Sequence, residues 1–144
     1  MIRLNGKDVN VRDDNQTVLL TLTPGSGDSK YNSSSLAQTL TVTTIDDNDT
    51  VGLILSKTAA TVSENGSVSD NFSVSLRSQP TANVTLTLSD NDSTEVVATP
   101  GILTFSSGNW STSQLIMLNG KDDNVSDDNQ TVLLTLTPGS GDSK

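Results

Sequence analysis

The residues best able to do chemistry in this chain are carboxylates, and they gather rather than scatter. Clusters fall at Asp8, Asp13 and Asp14, at Asp46, Asp47 and Asp49, at Asp90 and Asp92 near Glu95, and at Asp122, Asp123, Asp127 and Asp128. Carboxylates held close together repel one another, and a divalent cation removes that cost. Ca²⁺ is a hard ion that takes about six to eight oxygens, so loops rich in Asp and Asn suit it. Solvated turns are the alternative, because Asp is a common turn residue. No cluster follows the spacing of an EF-hand loop. With no Cys and no His, the chain has no thiol nucleophile, imidazole base or disulfide. Carboxylate pairs can hydrolyse glycosides. Here they lie in repeated turn-like segments of a chain with one Trp and one Tyr, so no enzyme is expected.

The charge balance narrows the partners. Seventeen acids face 8 bases, for a net charge of −9. A nucleic-acid partner needs a basic face, and an anionic membrane surface needs a basic patch. Neither is expected, and no apolar run is long enough for direct membrane insertion.

The elements that must position these acids are repeated. Residues 2–30 and 116–144 differ at only three of 29 positions, Arg3/Met117, Val9/Asp123 and Arg12/Ser126, at an offset of 114 residues. Such a match marks a tandem array. The chain is expected to divide into residues 1–49, the C-terminal half of one repeat with its linker, and residues 50–144, the next repeat lacking its last strand. The mismatches also report on structure. Ile2/Ile116 and Leu4/Leu118 are constant while the residue between them switches from Arg to Met. In a strand, alternate residues face opposite sides, so Ile116 and Leu118 should face a core and Met117 solvent.

Period-two alternation recurs along the chain. It runs through Val18-Leu20-Leu22, Leu40-Val42, Val51-Leu53-Leu55, Phe72-Val74-Leu76, Val84-Leu86-Leu88, Ile116-Leu118 and Val132-Leu134-Leu136, and less regularly through Val97, Leu103 and Phe105. Turn signals separate these runs: Pro24-Gly25, Asn65-Gly66, Pro100-Gly101, Ser107-Gly108 and Asn119-Gly120. No helical period is present. With aromatics at 3% of residues, the core must be built from Val, Leu and Ile. About seven short strands per 114-residue repeat predict an all-β, antiparallel Greek-key β-sandwich of immunoglobulin-like kind.

Ten of the 13 Asn residues stand in Asn-X-Ser/Thr, including Asn71, Asn83 and Asn109. These are candidate glycosylation sites on an extracellular surface, although the same tripeptide suits turns and strand starts. Trp110 is expected to cap one end of the sandwich after Phe105, with a carbohydrate platform as the alternative.

Residues 51–144 resemble a Calx-β domain, the sandwich module of sodium–calcium exchangers and many bacterial surface proteins. The resemblance rests on the order of several features. An apolar first strand is followed by Glu64-Asn-Gly, then by Gly101-Ile-Leu-Thr-Phe-Ser-Ser-Gly-Asn-Trp110. Next come Gly120-Lys-Asp-Asp-Asn-Val-Ser-Asp-Asp128 and a TVLLTLT strand. The closing Ile45-Asp-Asp-Asn-Asp49 is present in the preceding repeat. By position the resemblance implies calcium ligands at Glu64, at Asp90 or Asp92, at Asp122, Asp123 and Asp127, and at Asp46, Asp47 and Asp49. Asp8 and Asp13 occupy the same loop in the first copy. Family members often carry Glu in that loop, where this chain has only Asp and Asn.

Two functions follow as expectations. One is a structural or adhesive repeat of an extracellular, cell-surface protein, with Ca²⁺ in acidic loops and linkers stiffening the array. Its partners are neighbouring repeats, with a cell-surface or carbohydrate ligand a further candidate. The other is a filament subunit joined head to tail by β-strand exchange between copies.

Overall fold

The computed structural model describes residues 1–47, 49–123, 125 and 128–141. The chain is all-β and antiparallel, with nine strands among the described residues. They divide between two compact units. One comprises Met1–Val9 and Asp13–Asn48, the other Asn10–Arg12 and Asp49–Lys144, so Asp49 falls with the second unit. Among the described residues no helix is long and apolar enough to cross a membrane.

The second unit holds seven strands in two sheets. The larger has the order β3 (Leu53–Leu55), β4 (Ser69–Leu76), β8 (Gln114–Gly120), β6 (Val96–Thr99). The smaller has the order β7 (Ile102–Phe105), β5 (Val84–Asp90), β9 (Leu134–Ser140). Only β3 and β4 are consecutive neighbours in a sheet; from β4 onward each strand passes to the opposite sheet. This crossing pattern gives the expected Greek-key sandwich. Between β6 and β7 the chain turns at Pro100-Gly101, with a cis Thr99–Pro100 bond.

The core follows from the alternation. Phe72, Val74 and Leu76 on β4 and Ile116 and Leu118 on β8 face Leu86 on β5 and Leu103 and Phe105 on β7, all buried. Met117, between two buried neighbours, is 39% exposed. Trp110 is half-buried and packs against this cluster, and its carbonyl accepts from the Leu76 N–H at 2.9 Å.

In the first unit, β1 (Gln16–Leu22) pairs with β2 (Gln38–Thr44), Leu20 lying opposite Leu40 and Val18 opposite Val42. The connection includes a short 3₁₀ turn, Ser34–Leu36, whose entry is capped by Ser33. Because opposite residues share a face, one side carries Val18, Leu20, Leu22, Leu40 and Val42, and the other is mostly Thr. The apolar side is poorly covered, with Leu40 52% exposed.

Three local expectations differ from the structure. Ile2 and Leu4 match the buried Ile116 and Leu118, yet both are exposed and residues 1–9 form no strand. Asn119-Gly120 is not a turn: β8 runs through it, with Val96 opposite Gly120. The duplicated segment forms strands over different windows, Gln16–Leu22 in the first copy and Leu134–Ser140 in the second. Each window is set by its pairing strand, β2 for the first and β5 for the second.

Candidate metal centre

Three loops of the second unit meet at one end of the sandwich. The first is the turn Ser63–Ser67. Ser63 and Val68 bond through the backbone at 2.9 Å, and Ser63 Oγ accepts from the Val68 N–H at 2.8 Å. Asn65 Oδ1 accepts from Ser63 Oγ at 2.9 Å and from the Ser67 N–H at 3.0 Å. Gly66 closes the turn at φ 70, a left-handed conformation that favours glycine. This framework holds Glu64 half-buried.

The second loop follows β8, whose last residue, Gly120, rests directly on that turn. A Cβ placed on Gly120 would lie 2.3 Å from the Ser63 carbonyl oxygen and 2.8 Å from the Glu64 nitrogen. Only glycine allows so close an approach. Beyond it come Lys121, Asp122 and Asp123, and Asp123 Oδ1 accepts from the Val125 N–H at 2.8 Å. The third loop is Asn91–Glu95. The Lys121 N–H donates to the Glu95 carbonyl at 2.9 Å, and Lys121 Nζ reaches the Ser93 carbonyl at 3.4 Å. Asp92 accepts from the Thr94 hydroxyl at 2.5 Å and the Thr94 N–H at 3.1 Å. Those two bonds, the hydroxyl first, hold the Asp92 carboxyl below the usual carboxylate range.

The fold thus gathers the loops of Glu64, Asp92, Asp122 and Asp123, which lie far apart in sequence. Among the described residues no three acidic side chains stand close enough together to hold a metal ion. Asp127 lies outside the described residues. Asp49 belongs to the same unit, with Oδ2 buried and no hydrogen-bond partner among the described residues. Asp8, Asp13, Asp46 and Asp47 belong to the first unit, where the Asp46 N–H donates to Asn15 Oδ1 at 2.8 Å. A separate cleft of about 340 Å³ in the second unit, lined by Val51, Leu53, Leu76, Val84 and Pro138 among others, has no carboxylate in its lining.

Of the sequon residues, Asn71 is exposed on β4 and Asn83 is exposed just before β5. Asn109 is half-buried and engaged: its Oδ1 accepts from the Ser106 N–H at 2.6 Å, and its Nδ2 donates to the Thr104 carbonyl at 3.3 Å.

One charged contact escapes sequence reasoning. Lys57 pairs with Asp70, and Asp70 also accepts from the N–H groups of Asn71 at 2.8 Å and Thr61 at 3.4 Å. The Lys57 hydrogen bond first, then these amides, hold the Asp70 carboxyl below its ordinary value of 3.8. A folded-state pKa depressed in this way contributes stability above the unfolded pKa and loses it as pH falls through the folded one. Denaturant midpoints measured from neutral pH downward should fall below about pH 4. Asp70→Asn should flatten that fall; an unchanged profile would remove Asp70 as its source. Both side chains are partly exposed, 38% for Lys57 and 26% for Asp70, so the effect is small.

Comparison with protein-family models, curated proteins and solved structures returned no match.

Proposed function

We propose that this chain is a structural repeat module of the Calx-β kind, from an extracellular surface protein, in which Ca²⁺ bound by acidic loops and linkers stiffens a tandem array. The observation that carries this reading is the meeting of three acid-bearing loops at one end of a thin sandwich. Gly120, just before Asp122 and Asp123, rests on the Ser63–Glu64 backbone, and the Lys121–Glu95 bond ties in the third loop. The 114-residue duplication supports a role that depends on repetition. Calcium would draw the carboxylates of these loops together around one ion, and sites in extracellular modules work at about 10⁻⁴–10⁻³ M.

Calorimetric titration and thermal melting with Ca²⁺ and with chelator test the reading. A ligand at tenfold excess over Kd stabilises by about 1.4 kcal/mol, which raises the melting temperature of a domain this size by several degrees. Asp123→Asn is expected to shrink that rise while leaving the melt in chelator unchanged or higher. Absence of both heat and shift at millimolar Ca²⁺ would sink the proposal.

A further inference from the structure

We infer that Asn91 is a positioning residue of the candidate metal centre, anchoring the far end of the connection that carries Asp122 and Asp123. The inference rests on the calcium reading above and names a residue outside the ligand set of that reading.

Two connections cross between the sheets at this end of the sandwich. The short one, residues 91–95, leads from β5 to β6, and the long one, residues 121–133, leads from β8 to β9. Their ends meet because β5 pairs with β9 and β6 with β8, Asp90 lying opposite Leu134 and Val96 opposite Gly120. Both ladders run on by one residue. The Lys121 N–H donates to the Glu95 carbonyl at 2.9 Å, and the Asn91 N–H donates to the Leu133 carbonyl at 3.3 Å. The short connection therefore holds both ends of the long one.

Different chemistry holds the two ends. At Glu95 the bond is backbone to backbone, so side-chain identity does not matter to it. At Leu133 a side chain takes part. Odd-numbered residues of β5 and β9 exchange the ladder bonds here, and facing residues of such a pair give each N–H to the other's carbonyl. Asn91 and Leu133 make the first of these bonds through the backbone. The second comes from the Asn91 amide, whose Oδ1 accepts from the Leu133 N–H at 2.7 Å. β5 ends at Asp90, so the side chain carries the pairing one residue past the strand. Alanine at this position offers no acceptor, whereas aspartate offers one at the same distance from the backbone.

The consequence for binding is preorganisation. A long connection loses conformational freedom when it closes on an ion, and that loss subtracts from affinity. Asp122, Asp123, Asp127 and Asp128 all stand between the two anchors in sequence. Holding both ends restricts these residues before the ion arrives. Asn91 is itself exposed, so its removal leaves the core packing in place.

Hydrogen exchange in chelator and calorimetric titration with Ca²⁺, both on the full chain, test this role. Asn91→Ala should speed exchange of the Leu133 amide severalfold, leave the β8 amides as they are, and weaken Ca²⁺ binding severalfold. Asn91→Asp should keep the slow exchange and bind no more weakly than the native chain. Unchanged exchange at Leu133 in Asn91→Ala would overturn the anchor. Faster exchange with undiminished affinity would overturn the positioning role while the calcium reading stands, and so would Asn91→Asp binding as weakly as Asn91→Ala. A native chain that gives no heat with Ca²⁺ would overturn the calcium reading and this role with it.

Discussion

Replacing Phe105 with alanine is expected to unfold most of the second unit at modest denaturant. Phe105 is fully buried on β7, and the chain has only two Phe residues to fill its core. The substitution removes the largest fully buried side chain among the described residues and leaves a cavity that the two sheets can only partly close. Such changes cost about 3–5 kcal/mol, a large share of the 5–15 kcal/mol that roughly bounds a domain's stability. Trp110 packs against the same cluster and is the only Trp, so its fluorescence reports the transition directly. Neighbours on β7 supply the controls. Leu103 is 3% exposed, and Leu103→Ala should cost about 2–5 kcal/mol. Ile102, at 59% exposed, should stay within about 0.5 kcal/mol. Equal effects at Ile102 and Leu103 would show that the two faces of β7 are misassigned.

That alternation is what the sequence makes legible. Phe72-Val74-Leu76 and Ile116-Leu118 mark their buried faces by period two, and the Arg3/Met117 mismatch marks a solvent position without any structure. Strand ends are less legible because partners set them. The same residues stop pairing before Pro24 in the first copy and run through Pro138 in the second. There β5 defines the ladder, and the Pro nitrogen faces away from it. Ile2 and Leu4 have the right pattern for a strand, but in this unit no ladder forms on them. A hydrophobic pattern states which face would be buried, and the burial itself requires a partner.

The candidate site is legible in kind but not in arrangement. Turn-rich acidic segments are visible in the sequence, while the loops that meet are fixed by non-local strand pairing. The segments that carry Glu64 and Asp123 reach the same end of the sheet because β4 and β8 are neighbours, with Ser69 opposite Asn119. The Lys57–Asp70 pair is equally silent in the sequence, since it joins the segment after β3 to β4.

Gly120 is the sharpest instance of a contact that alternation cannot reveal, and it yields the second large effect. Gly120→Ala places a methyl group within 2.8 Å of three backbone atoms of Ser63 and Glu64. Backbone cannot swing aside as a flexible side chain can, so β8 or the Ser63–Ser67 turn must shift. A cost of about 1–3 kcal/mol or more is expected, which lowers the midpoint of the second unit by roughly 4–8 °C per kcal/mol. Gly120 has no positive φ, so the test isolates packing from backbone strain. Gly6 is the duplicate of Gly120, in the same Leu-Asn-Gly-Lys-Asp context. A Cβ there meets only the Thr44 methyl at 3.4 Å, an ordinary contact. Gly6→Ala should therefore change stability by no more than about 0.5 kcal/mol. If the calcium reading holds, Gly120→Ala should also weaken the calcium-induced melting shift, because it pushes the end of β8, from which Asp122 and Asp123 follow, off the Ser63–Glu64 backbone. A variant that melts like the native chain would mean that the loop does not rest on the Ser63–Glu64 backbone. The meeting of loops on which the candidate site depends would then be lost with it.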